Sequence, residues 1–169
     1  METLDAIKTR RSIRKYKSEQ IPVKTIQTLL EAAMQAPSAG NEQPWHFIVI
    51  IEKELLGEIA KFNPYADMAG NAAFAILVCG DVNQEKYDNF WIQDCAAATQ
   101  NLLLAAHDLG LGAVWTAVYP MGDRAEKYSS FFKLPSNIIP LALVPVGYPD
   151  QVRGTENRFK EDRIHFNRW

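Results

Sequence analysis

Apolar runs, each of strand length and separated by segments with helical spacing, are the feature that most constrains how this chain can fold. Because these runs are apolar almost throughout rather than alternating, they predict strands that are buried on both faces and covered by helices. The alternation of helices with strands favours an α/β layering, although an α+β sheet of mixed direction gives the same pattern. The predicted strands are Trp45–Ile51, Phe74–Asp81, Ala113–Tyr119 and Ile139–Val146.

The helices between these runs are predicted from apolar spacing and from cap and breaker residues. Thr3 is predicted to cap a first helix that runs to about Arg10, and Pro37 to end the second helix. The Ala- and Leu-rich segment Phe90–Leu109 is apolar around most of its circumference, so we predict that it is the central helix. The other predicted helices are Val23–Ala36, Glu54–Phe62 and Arg124–Phe132.

Size and charge narrow the classes of function. A chain of 169 residues fits one domain, predicted over residues 1–169. The net charge of -2 supplies no general basic surface, so no nucleic-acid partner is expected. The apolar runs stop short of the roughly 20 residues of a membrane helix, and Met1–Asp5 lacks the features of a secretory signal. We therefore expect a cytoplasmic protein without a membrane partner.

The cysteines and histidines do not suggest a metal site or a disulfide. Cys79 lies in an apolar run and Cys95 lies among alanines, so both are predicted to be buried as small apolar side chains. The three histidines are far apart in sequence, and no acidic or thiol partner lies at ligand spacing. No bound metal is expected.

Arg10, Ser12 and Arg14 alternate in the string RRSIR near the start of the chain. In an extended conformation their side chains point to one face and present two guanidinium groups beside a hydroxyl, which suits a terminal phosphate and an adjacent electron-rich group. The alternative is a solvated basic end of the first helix.

The loop between the second helix and the first strand is rich in polar turn formers. Ser38, Asn41 and Gln43 place a hydroxyl and two amides within six residues, which suits the edge of a flat heterocycle. The alternative is a polar turn that leads into the strand.

Taken together with three further segments, these two motifs resemble the FMN-dependent nitroreductase family. The segments, in the order of that family, are RRSIR, APSAGNEQPW, QDCAAATQNLLLAA, LGLGAVWTA and RIHFNRW, and the resemblance extends from about residue 5 to residue 169. It implies an α+β fold with a mostly antiparallel central sheet flanked by helices, in place of the α/β layering. It also implies an intertwined homodimer with two FMN sites at the subunit interface.

The resemblance further implies which residues bind the cofactor. Arg10, Arg11 and Ser12 would bind the FMN phosphate and ribityl chain, and Arg14 would approach the N1 and C2 carbonyl edge, where a cation stabilises the reduced flavin. The charged tail, residues 150–169, would dock at the dimer and flavin site. Within it Arg158 would clamp the phosphate, with Arg153 and Arg163 as competing choices.

Two loops complete the implied site. One reaches into the partner's flavin site and carries Pro37, Ser38, Ala39, Asn41 and Gln43. The other lies beside the flavin N5 and carries Tyr119, Pro120, Met121 and Gly122. No side chain is expected to be catalytic, because the flavin carries the chemistry and Arg14 acts as an electrostatic stabiliser. Trp91 and Trp115 are expected to be core residues more often than ligand contacts.

The implied activity is a ping-pong oxidoreductase, in which NADH or NADPH reduces the flavin and a small-molecule acceptor then reoxidises it. Nitroaromatics, quinones and free flavins are the candidate acceptors. The sequence contains no GxGxxG after a strand, so the nicotinamide is expected to share the open face of the flavin. The alternatives are reductive dehalogenation or flavin fragmentation on the same fold, or a non-catalytic FMN-binding module.

Overall fold

Helices and strands account for most of the chain in the computed structural model, which describes residues 1–169. The helices are α1 (Thr3–Thr9), α2 (Val23–Met34), α3 (Lys53–Phe62), α4 (Trp91–Asp108) and α5 (Asp123–Phe132). The strands are β1 (Trp45–Ile50), β2 (Phe74–Asp81), β3 (Gly112–Ala113), β4 (Thr116–Ala117) and β5 (Ile138–Gly147). Short 3-10 segments lie at Ala39–Asn41, Pro64–Asn71, Val82–Gln84 and Glu161–Arg163.

The strands form one sheet in the order β1-β2-β5-β3, with β4 also paired to β5, and all of these strand pairs are antiparallel. The α+β architecture is therefore confirmed, and the α/β layering inferred from alternation is wrong. Since β2 and β3 are both antiparallel to β5, they are parallel to each other, and α4 is the crossover between them. The connections from β1 to β2 and from β4 to β5 instead reverse the chain direction, which alternation alone does not reveal.

The central strand β2 is buried along its whole length because helices cover both faces of the sheet. Phe74 and Ile76 belong to the core on the α2 and α4 side, whereas Ala75 and Leu77 belong to the core with α3 and α5. Successive side chains of a strand point to opposite faces, so a strand between two cores must be apolar at every position. The two-face burial predicted for this run is confirmed.

The predicted central helix is confirmed as α4, with its ends one residue inside the predicted bounds. The prediction of one continuous strand over Ala113–Tyr119 is wrong, because within this segment only the two short strands β3 and β4 pair with β5. The register on either side of the gap places Pro145 opposite Val114. Proline has no N–H to donate, so the ladder is interrupted there.

The ends of the first two helices also differ from the predictions. Glu2, not Thr3, precedes the first helical residue, and the Ala6 amide donates to the Glu2 carbonyl at 3.0 Å. Thr3 therefore lies inside α1 and does not cap it. Before Pro37, residues 35–36 turn tightly through i→i+3 bonds, so α2 ends earlier than predicted.

Both cysteines are buried and unpaired, as predicted. Burial raises the pKa of the Cys79 thiol to about 12 and also raises the pKa of Cys95. Both thiols are therefore protonated at neutral pH, and neither has the thiolate character of a reactive cysteine.

The tail after β5 forms no strand and only one short 3-10 segment. Phe159 is 67% exposed, Phe166 85% and Trp169 100%, so this chain itself does not cover the apolar side chains of its own tail. No helix of the fold is both long enough and apolar enough to cross a membrane.

Candidate functional site

The arginine-containing segment after α1 is held along the edge of the sheet by its backbone. The Ile13 amide donates to the Ala113 carbonyl at 3.0 Å, and Ser12 and Ala113 form a parallel bridge. Further along, the Lys17 amide donates to the Tyr148 carbonyl at 2.9 Å. The side chains of this segment therefore project from a fixed backbone.

Two glycines allow the segment to lie this close to the sheet. A Cβ atom at Gly112 would lie 2.5 Å from Cγ2 of Ile13, and a Cβ atom at Gly147 would lie 2.8 Å from Cβ of Tyr16. Non-bonded carbon atoms normally stay about 3.5–4.0 Å apart, so a larger residue at either position would displace the segment. The Tyr16 hydroxyl, which donates to the Ile13 carbonyl at 2.7 Å, fixes the same turn.

Arg10 and Arg11 line a cavity of about 690 Å³, which we name the arginine cavity. Arg158 lies on the same wall, whereas Arg153 and Arg163 do not line it. The other charged or polar residues of the cavity are Asp5, Lys8, Thr9, Thr155, Glu156 and Asn157. Four cationic side chains thus face two carboxylates, and the excess of positive charge suits an anionic ligand.

The electrostatics of the arginine cavity point to the same kind of ligand. Burial lowers the pKa of Arg10, and repulsion from Arg158 and Arg11 lowers it further. The Nη2 nitrogen of Arg11 is buried without a hydrogen-bond partner. An anion with several acceptor oxygens would relieve the repulsion and accept from the unpaired nitrogen, so the residues present fit a phosphate group.

Arg11 and Arg158 also have partners within the chain. Arg11 donates from Nε to the Gly154 carbonyl and from Nη1 to the Lys8 carbonyl, both at 2.9 Å, and so ties the tail to α1. Arg158 pairs with Glu156 at 3.0 Å, and both side chains are exposed. Exposed ion pairs contribute little free energy, so Arg158 can exchange this partner for a ligand.

Arg14 lies apart from the arginine cavity and lines a second cavity of about 520 Å³, which we name the Arg14 cavity. The segment Trp115–Ala117 and Met121 form part of its wall. Trp115 thus contacts a cavity, whereas Trp91, only 3% exposed, is a core residue. The remaining lining residues are Pro64, Tyr65, Asp67, Met68 and Arg124.

The contribution of the 3-10 segment Pro64–Asn71 to the Arg14 cavity was missed by the sequence analysis, which predicted no element between the helix Glu54–Phe62 and the strand Phe74–Asp81. The Asn63 side chain accepts from the Tyr65 amide at 3.1 Å, and Pro64 follows as the first residue of the segment. Asn at the cap followed by Pro is a helix start signal, which could have identified this wall of the cavity.

The loop Tyr119–Gly122 leaves the sheet at a bulge. Where β5 shifts register against β2, the Leu141 carbonyl accepts from the amides of both Val118 and Tyr119 at 3.0 Å. Gly122 has φ of 50° and ψ of -127°, a conformation that glycine adopts readily. Met121 lines the Arg14 cavity, and the other loop residues line a third cavity of about 620 Å³ against α5.

The polar loop before β1 forms a closed local network. The Gln43 amide donates to Ser38 Oγ at 3.0 Å, and Gln43 Nε2 donates to Asn41 Oδ1 at 3.3 Å. Gly40, Asn41 and Gln43 all have positive φ, between 48° and 54°. None of the residues 37–43 lines the three cavities described above. One chain therefore does not bring this loop together with the arginines.

Two buried carboxyl groups, which the sequence analysis did not identify, anchor this loop to its surroundings. Asp94 at the start of α4 accepts from the Ala39 amide at 3.0 Å, and Glu42 accepts from the Lys86 amide at 2.6 Å. The Glu42 and Asp94 carboxyl groups lie against each other, and each has one buried oxygen that receives no hydrogen bond from the chain. Burial, and to a smaller extent Glu42, raise the pKa of Asp94. We interpret the contact as a shared proton.

Comparison with known proteins identifies the family of this chain. The sequence model of the nitroreductase family matches residues 7–148. The chain belongs to the nitroreductase family. The resemblance drawn from the five sequence segments is confirmed.

Relatives of this nitroreductase-family chain cover nearly its full length. A protein of Methanothermobacter thermautotrophicus named "Putative NADH dehydrogenase/NAD(P)H nitroreductase" is 51% identical over 100% of this chain and 88% of its own length. A crystal structure of a protein with the same name from Parabacteroides distasonis has a TM-score of 0.95 and 44% identity, covering 99% of this chain and 98% of that one. The structure of an FMN-dependent nitroreductase from Clostridium difficile has a TM-score of 0.91 and 30% identity, covering 98% and 99%.

Proposed function

We propose that this chain is an FMN-dependent NAD(P)H oxidoreductase that reduces nitroaromatic, quinone or flavin-type acceptors. The observation that carries the proposal is the arginine cavity, where Arg10, Arg11 and Arg158 converge with an excess of positive charge. The name of the Clostridium difficile structure, an FMN-dependent nitroreductase, supports the choice of FMN as the phosphate-bearing ligand.

The residues around the cavities have distinct proposed roles. Arg10, Arg11, Ser12 and Arg158 hold the phosphate and ribityl chain. Arg14 would hold the pyrimidine edge of the flavin, where a positive charge favours the reduced form. The Tyr119–Gly122 loop, whose start is fixed by the bulge at Leu141, would contact the flavin at N5.

FMN, when bound, would supply the redox chemistry of a ping-pong cycle in which NADH or NADPH is the electron donor and the small molecule is the acceptor. The chain positions the flavin and stabilises charge, and it needs no acid–base side chain for this task. Donor and acceptor occupy the same cleft in turn. Reduced nicotinamides are cytoplasmic metabolites, so we place the protein in the cytoplasm.

We further propose that residues 1–169 form one domain that assembles as an intertwined homodimer. The polar loop with Pro37, Ser38, Ala39, Asn41 and Gln43 does not reach the cavities of its own chain, so we assign it to the partner's flavin site. The tail, whose aromatic side chains are uncovered, docks at the dimer and flavin site. Light scattering on the purified protein should give twice the 19.1 kDa of one chain.

An anaerobic visible spectrum tests the proposal. The purified protein, supplied with FMN and freed of excess, should show a flavin band at about 450 nm that disappears with NADH or NADPH. Arg10→Ala should reduce the retained FMN. Arg153→Ala removes a tail arginine that does not line the arginine cavity, so it should retain FMN as the wild type does.

Each outcome of this experiment distinguishes one interpretation. A band that persists with both nicotinamides refutes the reductase and supports a flavin-binding module. A protein that retains no FMN after incubation refutes the cofactor assignment. Equal loss of FMN in Arg10→Ala and Arg153→Ala contradicts the role of the arginine cavity.

A further inference from the structure

The guanidinium of Arg124 is held in a fixed orientation at the wall of the Arg14 cavity. Its Cζ lies 4.7 Å from the centroid of the Tyr65 ring, and its Nη1 donates to the Ala117 carbonyl at 2.6 Å. These two contacts use one face and one N–H of the group. An arginine side chain carries five N–H donors, so most of them are left for a ligand.

Arg124 is not neutralised by a carboxylate of the chain. Its neighbour Asp123 pairs with Lys127 at 2.6 Å. Asp67 lines the same cavity, but its Oδ1 accepts from the Met68 amide at 2.8 Å, and it forms no ion pair with Arg124. Arg124 is therefore an oriented cation that forms no ion pair at the wall of a cavity, a geometry that suits an anionic group of a ligand.

The position of Arg124 indicates which part of a ligand it can bind. Its amide donates to the Met121 carbonyl at 2.9 Å, so it follows directly on the loop assigned to the flavin N5. An anionic group bound to Arg124 would therefore belong to a part of the ligand close to the flavin ring. The 2′-phosphate of NADPH is separated from the nicotinamide ring by two riboses and a pyrophosphate, so it does not suit this place.

We propose that Arg124, oriented by Tyr65 and the Ala117 carbonyl, binds the carboxylate of an aromatic electron acceptor. This inference rests on the proposed function and narrows it: the preferred acceptors are single-ring aromatic acids, such as nitrobenzoates or carboxylated quinones. The planar fork of arginine matches a carboxylate in two parallel hydrogen bonds.

The kinetic test compares an acidic acceptor with a neutral one of the same shape. The FMN-loaded protein is assayed with 4-nitrobenzoate and with 4-nitrobenzyl alcohol, and kcat/KM is taken as a ratio of acid to alcohol. Arg124→Gln should lower this ratio roughly 10- to 100-fold, mainly through the KM of the acid, because hydrogen bonds to a charged group are lost. Arg124→Lys keeps the positive charge without the planar guanidinium, so its acid-to-alcohol ratio should lie between those of the wild type and Arg124→Gln.

A matched control separates the specific contact from the net charge. Lys133→Gln removes one positive charge at the other end of α5, at a residue that does not line the Arg14 cavity. It should keep the wild-type ratio of acid to alcohol. A ratio that falls equally in Arg124→Gln and Lys133→Gln would overturn the proposal, because general electrostatics would then explain it.

A binding measurement keeps the inference separate from the proposed oxidoreductase activity. Benzoate carries the carboxylate but has no nitro group to be reduced. It is titrated calorimetrically into the wild type and both Arg124 variants, after circular dichroism has shown that each variant is folded. Benzoate should bind the wild type, and Arg124→Gln should weaken its binding by a similar factor. If benzoate binding depends on Arg124 but no acceptor is reduced, the anion site stands and the proposed function fails.

Two further results would overturn the inference alone. Reduction of both acceptors with an acid-to-alcohol ratio unaffected by Arg124→Gln leaves the oxidoreductase intact and removes the acid specificity. A change confined to the KM of NADPH, with that of NADH unaltered, assigns Arg124 to the 2′-phosphate of the donor instead.

Discussion

The buried pair of Glu42 and Asp94 yields a prediction about pH. In Asp94→Asn, the amide keeps one oxygen to accept from the Ala39 amide and places an N–H₂ where the carboxyl group contacts Glu42. In the wild type, Glu42 Oε1 and Asp94 Oδ2 have no hydrogen-bond partner. In the variant the N–H₂ group replaces Asp94 Oδ2 and donates to Glu42 Oε1, so no bound proton is needed between the two side chains. The variant should therefore be more stable than the wild type at neutral pH.

The sign and size follow from the raised pKa of Asp94. An unfolded aspartate has a pKa of about 3.9, so above that pH the folded state binds a proton that the unfolded state releases. The unfolding free energy of the wild type then falls as pH rises towards the pKa of folded Asp94, by at most about 1.4 kcal/mol per pH unit for one proton. The asparagine variant lacks this contribution, so the difference between the two proteins should widen with pH and then level off.

The assay is urea unfolding of both proteins at pH 4, 5, 6, 7 and 8, a range that begins at the pKa of unfolded aspartate, at one protein concentration because association would shift the apparent stability. Asp88→Asn, which changes the same charge at an exposed site near the loop, is the control and should run parallel to the wild type. A difference between Asp94→Asn and the wild type that is constant with pH, or that shrinks as pH rises, would refute the shared proton.

Three other substitutions test packing and charge. Gly112→Ala should lower the unfolding free energy by about 1–3 kcal/mol in urea titrations, because the new methyl group overlaps Ile13; an unchanged midpoint would show that the segment can move without cost. Tyr128→Phe should cost about 1–3 kcal/mol, because it removes the hydroxyl that accepts from Asn63 Nδ2 at 3.0 Å in the core; a neutral effect would mean that another acceptor replaces it. Arg14→Ala should lower the reduction potential of bound flavin in a spectroscopic redox titration, and equal potentials would contradict its electrostatic role.

The candidate site was predicted unevenly from the sequence. Arg10, Arg11 and Arg158 lie on one cavity, although Arg158 is more than 140 residues from the others and only the family resemblance singled it out. Arg14, expected on the same face as Arg10, lines a different cavity. Alternating residues of an ideal strand point to one face. This segment instead follows the sheet edge and turns at Tyr16, so Arg10 and Arg14 line different cavities.

The residues that the sequence analysis missed are those whose roles depend on distant partners. From the sequence alone Glu42 is an ordinary polar loop residue; only the fold places Asp94 of α4 next to it. Arg124 reads as the first turn of a surface helix until the 3-10 segment carries Tyr65 beneath its guanidinium. In each case the pair is separated by about 50 to 60 residues, and no local pattern records such a contact.

The sequence by itself determined where the chain forms α4 and β2, because the spacing of apolar side chains within a segment states which faces must be buried. Only the tertiary structure decided that β2 pairs antiparallel with both neighbours and that Pro145 interrupts the pairing of the 112–117 segment. It alone placed the polar loop away from the arginines of its own chain. The physical reason is that burial is a property of each segment, whereas pairing and site assembly depend on contacts between segments that are far apart along the chain.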